Sequence, residues 1–189
     1  MTTFKKFFLS VWEVLEVVFV ATATVFIIRT FLVQPFLVSG ASMEPTFSDG
    51  NYLLVDELTY RFREPERGDV IVFRFPRNPS TFFIKRIIGL PGEQVVAENG
   101  TLKIVKNGKV FVLDEKYLSE EARKSRDNFS MTLKDDQYFI LGDNRFHSFD
   151  SRMWGTISRR DIIGLARLRV FPFQKFAFFE APFFKEMPY

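Results

Sequence analysis

The sequence predicts a mainly β fold, a small coiled barrel or sandwich, carried behind a single N-terminal helix. Three observations predict it. Short runs rich in valine, isoleucine and phenylalanine recur between residues 51 and 170 at the length of strands. Tight-turn dipeptides separate several of them, Asn99-Gly100 and Asn107-Gly108 being good hairpin turns. The long apolar stretch, Phe7 to Val33, comes before all of these and is ended by Gln34-Pro35.

The N-terminal element is a membrane-span candidate. A spanning helix needs about 20 mostly apolar residues. Glu13, Glu16 and Arg29 interrupt this one, leaving Val17 to Ile28 free of charge. A charge at mid-bilayer costs roughly 2.5–3.5 kcal/mol and less near the ends, where Arg29 can snorkel outward. Three readings stay open: a retained anchor, a cleaved signal peptide with Ala21-Thr22-Ala23 as its site, and an amphipathic helix lying in the interface. The apolar pattern continues well past Ala23, which argues against cleavage. Lys5 and Lys6 before the span, against Arg29 after it, favour an N-terminus inside. The expected organisation is 1–6 in the cytoplasm, 7–33 through the membrane, and 34–189 as an extracytoplasmic domain.

The strands follow in order. Asn51 to Val55 is short and apolar. Arg61 to Arg67 is charged and reads as a loop, and Gly68-Asp69 as a turn. Val70 to Phe75 is β-rich and is ended by Pro76 and an Asn78-Pro79 turn. Thr81 to Ile88 is a second strong strand, closed by Gly89-Leu90-Pro91-Gly92. Glu93 to Ala97, Leu102 to Val105 and Lys109 to Leu113 are joined by the two Asn-Gly turns. Asp114 to Asn128 is polar and reads as an exposed excursion with a little helix. Tyr138 to Leu141 and Ile162 to Val170 complete the set. The tail from Phe171 is rich in phenylalanine and proline, suited either to final core packing or to a membrane-facing skirt.

Composition narrows the chemistry. With no cysteine there is no disulfide, thiolate nucleophile or cysteine-bound zinc. One histidine, His147, rules out a multi-histidine metal site. A net charge of +3 is too small to imply nucleic acid. The 25 phenylalanines imply either a very aromatic core or apolar surface offered to a membrane.

Two positions stand out as candidate chemistry. Ser42 lies in Val38-Ser39-Gly40-Ala41-Ser42-Met43-Glu44-Pro45-Thr46, where small residues allow close approach of a backbone and prolines fix the chain direction. That suits an exposed nucleophile and equally an ordinary tight turn. Lys85 lies inside Phe82-Phe83-Ile84-Lys85-Arg86-Ile87-Ile88. Strand alternation puts Phe83, Lys85 and Ile87 on one face and Phe82, Ile84, Arg86 and Ile88 on the other. One reading is an edge strand whose cations reach solvent. The other is a buried amine whose pKa falls from about 10.4 to about 7–8, a shift of about 4 kcal/mol, which makes it a base for a serine. Arg86 cannot serve, because guanidinium does not deprotonate at usable pH. The loop Gly142 to Gly155 is dense in Asp, Arg and Ser. Asp143, Asp150, Arg145 and Arg152 read as a braced loop, and Ser148 as a partner for an amine. His147 with Asp150 and a serine is the competing triad.

Three blocks together resemble the type I signal peptidase family, membrane-bound serine proteases that use a Ser/Lys dyad. They are Ser39-Gly40-Ala41-Ser42-Met43-Glu44-Pro45-Thr46, then Arg67-Gly68-Asp69-Val70 through Lys85-Arg86-Ile87-Ile88-Gly89-Leu90-Pro91-Gly92-Glu93, then Gly142-Asp143-Asn144-Arg145 through Ser148, Asp150, Ser151, Arg152, Trp154 and Gly155. In order and with the apolar N-terminus they cover roughly residues 7–156. The resemblance implies Ser42 as nucleophile, Lys85 as general base and Ser148 as the group that holds the amine. It implies Asp143, Asp150 and Arg152 as braces, and the Ser42 N–H as part of the oxyanion hole. Some members place a serine two residues before the nucleophile. Here that position is Gly40, whose backbone is the substitute donor. Val38, Met43, Phe47, Phe83 and Ile84 match positions that line shallow pockets for small side chains, which implies cleavage after Ala-x-Ala. No metal or cofactor is implied. The partners implied are signal peptides of exported pre-proteins and the phospholipid membrane. The short stretch between Glu93 and Gly142 implies that the second domain of larger members is reduced or absent. His147 and Phe146 fall at variable positions, which weighs against the triad. Two other readings stand beside this one. A self-cleaving Ser/Lys repressor-type protein would be soluble, and the apolar N-terminus argues against it. An inert membrane-tethered β module would bind apolar segments through its phenylalanines.

Overall fold

The computed structural model describes residues 3–31, 33–181 and 187–188. An N-terminal helix α1 (Thr3–Phe31) leads directly into an all-β body. Val11, Trp12, Val14, Leu15, Val17, Val18, Phe19, Val20, Val25 and Phe26 are all exposed on it, so its apolar surface runs round the helix rather than along one stripe. Among the described residues no helix is long and apolar enough to cross a membrane.

The body holds two sheets. The larger contains β1 (Val33–Leu37), β2 (Tyr52–Asp56), β3 (Val70–Phe75), β4 (Asn78–Gly89), β9 (Gln137–Leu141), β10 (Ile157–Ser158), β11 (Ile162–Phe171) and β12 (Ala177–Phe178). Its strands run in the order β1-β2-β11-β3-β4-β9-β10, with β12 added against β11. The smaller is built from β5 (Gln94–Glu98), β6 (Thr101–Lys106), β7 (Lys109–Val112), β8 (Phe129–Thr132) and β13 (Met187–Pro188), in the order β13-β7-β6-β5-β8. Every pairing is antiparallel. The region expected to hold a reduced or absent second domain thus carries a sheet of its own.

Local chemistry explains the register. Asn99-Gly100 and Asn107-Gly108 both take positive φ, the signature of the two-residue turns whose twist matches paired strands. These turns set Val96 opposite Lys103 and Val105 opposite Val110. Between β3 and β4 the turn is Pro76-Arg77 rather than Asn78-Pro79, and β4 starts at Asn78. Proline is tolerated there because the early part of β4 has β3 as its sole ladder partner. β3 and β4 then pair with Ile71 opposite Lys85 and Val70 opposite Arg86. Further along, β4 acquires β9 on its other side, with Arg86 opposite Leu141 and Ile87 opposite Ile140.

That double pairing decides the fate of the two cations. The second half of β4 is central and covered on both faces, so Lys85 and Arg86 are each only 3% exposed. One face supplies Ile87 to a cluster with Ile71, Phe73, Ile140 and Leu165. The other supplies Ile88 to a cluster with Val95, Ile104, Phe139 and Leu141, which joins the two sheets. The edge-strand reading is therefore wrong for this half of the strand. A third cluster, Val38, Met43, Phe47, Leu53, Val70 and Ala166, lies under the Ser42 turn. The tail divides its roles. Phe179 packs on Phe47 and this third cluster, whereas Phe173, Phe176 and Phe178 are exposed. Phe183 and Phe184 lie outside the described residues.

Candidate active site

The Ser42 turn hangs between β1 and β2. Val38 N–H donates to Asn51 O (2.9 Å) and Gly50 N–H to Val38 O (3.0 Å), closing its base. Met43 and Phe47 are fully buried beneath it, and Phe47 N–H donates to Met43 O (2.9 Å). The turn is thus nailed down by its apolar side chains, and Ser42 is held at the top. Asn144 N–H, from the loop after β9, donates to Ser42 O (3.0 Å) and fixes the serine backbone from the other side.

Lys85 reaches that serine. Its Nζ lies 2.7 Å from Ser42 Oγ and 2.9 Å from Ile84 O, with the Phe83 ring centroid 5.7 Å away. Burial pushes the amine down to about 8, against the opposing pull of Asp150 and Asp143. Both carboxylates are themselves held by arginines. Asp143 takes Nε and Nη2 of Arg86 at 2.8 and 2.6 Å and also accepts from Thr46 Oγ1. Asp150 accepts from Arg152 Nε (2.8 Å), Arg152 Nη2 (2.8 Å) and Gly142 N–H (3.0 Å). Arg152 in turn reaches Asp127 at 2.8 Å.

An amine that is neutral over part of the physiological range, 2.7 Å from a hydroxyl, can take that hydroxyl's proton as the oxygen attacks an electrophile. In the neutral form its lone pair faces Ser42 Oγ, one N–H faces Ile84 O, and a second N–H remains. Among the described residues Ser148 Oγ is buried with no hydrogen-bond partner. It was expected to hold the amine, but the amine's two contacts are Ser42 and Ile84. Gly142 separates Ser148 from the serine turn: a Cβ there would lie 2.2 Å from Ser148 Oγ and 2.4 Å from Ser42 O.

Other expectations divide. Asp143, Asp150 and Arg152 lie beside the site in hydrogen-bonded ion pairs, with Asp143 gripped by Arg86 from β4 rather than by Arg145 of its own loop. Gly40 N–H donates to Asp49 Oδ1 (2.7 Å), so in this conformation it is not free to meet an oxyanion. Ser42 N–H has no acceptor among the described residues. Val38, Phe83 and Ile84 line a groove that ends at Ser42 and Lys85, with Phe36, Leu37 and Phe82 as its outer walls. Met43 and Phe47 do not line it; both are core residues because the turn curls back over them. His147 is exposed, with Nδ1 3.3 Å from Asn144 Oδ1, and Asp150 is fully committed to Arg152 and Gly142, so no triad forms.

Residues that sequence reasoning missed are Arg86, Thr46, Glu115 and Tyr117. An arginine among Ile84, Ile87 and Ile88 could have been flagged, since a buried guanidinium needs a carboxylate. No signal in the polar run 114–128 marked Glu115 or Tyr117.

A serine hydroxyl thus lies against a shielded lysine amine, and a groove reaches both. The sequence model of the family "Signal peptidase, peptidase S26" matches residues 11–171, and the chain belongs to that family of serine peptidases. A probable signal peptidase I-2 from Synechocystis sp. is 39% identical over 150 residues, covering 77% of this chain and 66% of the relative. A signal peptidase I from Bacillus amyloliquefaciens is 37% identical over 171 residues, covering 86% of each chain. A crystal structure of a signal peptidase I from Enterococcus faecalis is 36% identical, with a TM-score of 0.47, over 55% of this chain and 97% of that one.

Proposed function

We propose that this protein removes N-terminal signal peptides from exported pre-proteins, with Ser42 as nucleophile and Lys85 as general base. The observation that carries the proposal is the 2.7 Å approach of a buried amine to the Ser42 hydroxyl. Family membership supports the substrate class.

The mechanism follows from the geometry. Neutral Lys85 accepts the Ser42 proton as Oγ attacks the carbonyl after the small residue. The Ser42 N–H, which is without an acceptor, meets the oxyanion, a contribution of about 3–4 kcal/mol per donor. Gly40 N–H can join it only by releasing Asp49. The ammonium then protonates the leaving amine, and water, activated by the same lysine, releases the acyl group. The orphaned Ser148 hydroxyl is the partner for the remaining amine N–H once the site is occupied. Val38, Phe83 and Ile84 limit the acyl side to small side chains, consistent with Ala-x-Ala.

The helix supplies location. Residues 7–33 act as a single anchor with 1–6 inside and 34–189 outside the cytoplasmic membrane. The apolar residues exposed all round α1 support this, and Lys5 and Lys6 before the span against Arg29 after it support the stated direction. Anchoring brings the groove to the surface where the apolar segment of a signal peptide also lies.

The test is cleavage of a pre-protein with an Ala-x-Ala site in detergent. Ser42→Ala is expected to abolish it while the unfolding transition is kept. Undiminished cleavage by a folded Ser42→Ala protein would refute the proposal.

A further inference from the structure

The small sheet touches the site through its connector, residues 113–128. Two side chains there end on Arg145, in the loop that clasps Ser42, and on Arg86 of β4. Glu115 accepts from both terminal nitrogens of Arg145, Nη1 at 3.2 Å and Nη2 in a closer contact, with side chains only 9% and 2% exposed. Tyr117 Oη donates to Glu115 Oε1 (2.7 Å), and the Arg86 guanidinium lies 4.1 Å from the Tyr117 ring centroid. Burial and the neighbouring Glu115 push the phenol well up, so it stays a donor.

These contacts run on into the site. Arg145 Nε donates to Gly142 O (3.1 Å), and Arg86 grips Asp143. Between them, Asn144 gives its N–H to Ser42 O. A guanidinium as buried as Arg145 needs a carboxylate to offset its desolvation. Asp143 and Asp150, the acids of its own loop, are taken by Arg86 and Arg152. The partner therefore comes from the connector.

We propose that Glu115 and Tyr117 are positioning residues for the dyad. They lock Arg145 and Arg86, which hold loop 142–145, and that loop sets the height of the Ser42 turn over Lys85 through the Asn144–Ser42 bond. The proposal rests on the Ser/Lys reading. It makes the small sheet part of the catalytic apparatus, because the strands β5 to β8 present this connector.

The test uses the full chain in detergent micelles with a peptide carrying an Ala-x-Ala site. Functional sites are counted by titration with a covalent serine-directed inhibitor. Glu115→Gln is expected to lower kcat per site by about tenfold or more with KM within about twofold, since misplacement by a fraction of an ångström is costly and the groove is untouched. Tyr117→Phe, which keeps the ring over Arg86, is expected to lose less than Tyr117→Leu, which does not. A purely structural role would lower the melting temperature and leave kcat per site unchanged. That result, or a change carried by KM alone, overturns the proposal. Where Glu115→Gln fails to fold, Tyr117→Phe decides: removal of one oxygen should cost about threefold in kcat, and an unchanged kcat overturns the proposal. Ser42→Ala and Lys85→Met run alongside. Turnover by either would sink the Ser/Lys reading itself. Dead references with unaltered connector variants would sink only the positioning role.

Discussion

Replacing Lys85 with methionine is expected to inactivate the protein and stabilise it. The fold holds the amine at about 8 instead of an ordinary 10.5. At 1.36 kcal/mol per pH unit that difference is about 3 kcal/mol. The sign follows from proton counts. Between pH 8 and 10.5 the unfolded lysine is protonated and the folded one is not, so wild-type stability rises with pH across that window. Below pH 8 the full penalty applies, and above 10.5 it is gone. Methionine of similar length removes the penalty but also forfeits the contacts to Ser42 and Ile84 O, about 1 kcal/mol in net terms. The expected gain is therefore about 2 kcal/mol at pH 7, shrinking toward zero or below by pH 10.5. Urea unfolding of the full chain in micelles at the two pH values measures it. No gain at pH 7, or an equal gain at both, would falsify the claim that Lys85 is buried at a cost.

Two further outcomes follow from the packing. Gly142→Ala should collide with Ser148 Oγ and Ser42 O, which stand 2.2 and 2.4 Å from the new Cβ. Catalysis should fall by about 100-fold through displacement of the serine turn, with about 1–3 kcal/mol of stability lost, read by kcat/KM and urea unfolding. Arg86→Ala strands Asp143 without its cation in a buried site, so about 3–5 kcal/mol should be lost. Arg86→Lys should recover only part of this, because a single ammonium cannot reproduce the two-pronged grip on Asp143.

Much of this molecule was legible in its sequence because turn chemistry and alternation are local. The Asn-Gly pairs fixed the hairpins of the small sheet, and Val70–Phe75 was read to the residue. Short elements whose reason is tertiary were not legible. β1 contains Pro35 and pairs with β2 alone, β8 is four residues long, and β10 is two. The Ser42 and Lys85 positions stood out from their neighbouring residues, but neither choice could be settled locally. A lysine in an apolar strand is an edge residue or a buried base according to which strands flank it, and β9 arrives from 50 residues away. Of the residues expected to line small-side-chain pockets, Val38, Phe83 and Ile84 lie along the groove, and Met43 and Phe47 are in the core. Alternation puts Phe83 and Ile84 on opposite faces of β4, so periodicity alone did not place both beside the groove. Met43 and Phe47 sit on a turn, where no periodicity says which way a side chain points.

The central claim is an amine beside the serine whose pKa burial lowers to about 8, so that part of it is neutral near physiological pH. The most direct test is an NMR titration of the Lys85 side chain, using lysine labelled with 13C at Cε and assigned by comparison with Lys85→Met. A midpoint near 8 is expected. A midpoint at the ordinary value near 10.5 would contradict the account and leave Ser42 without its base.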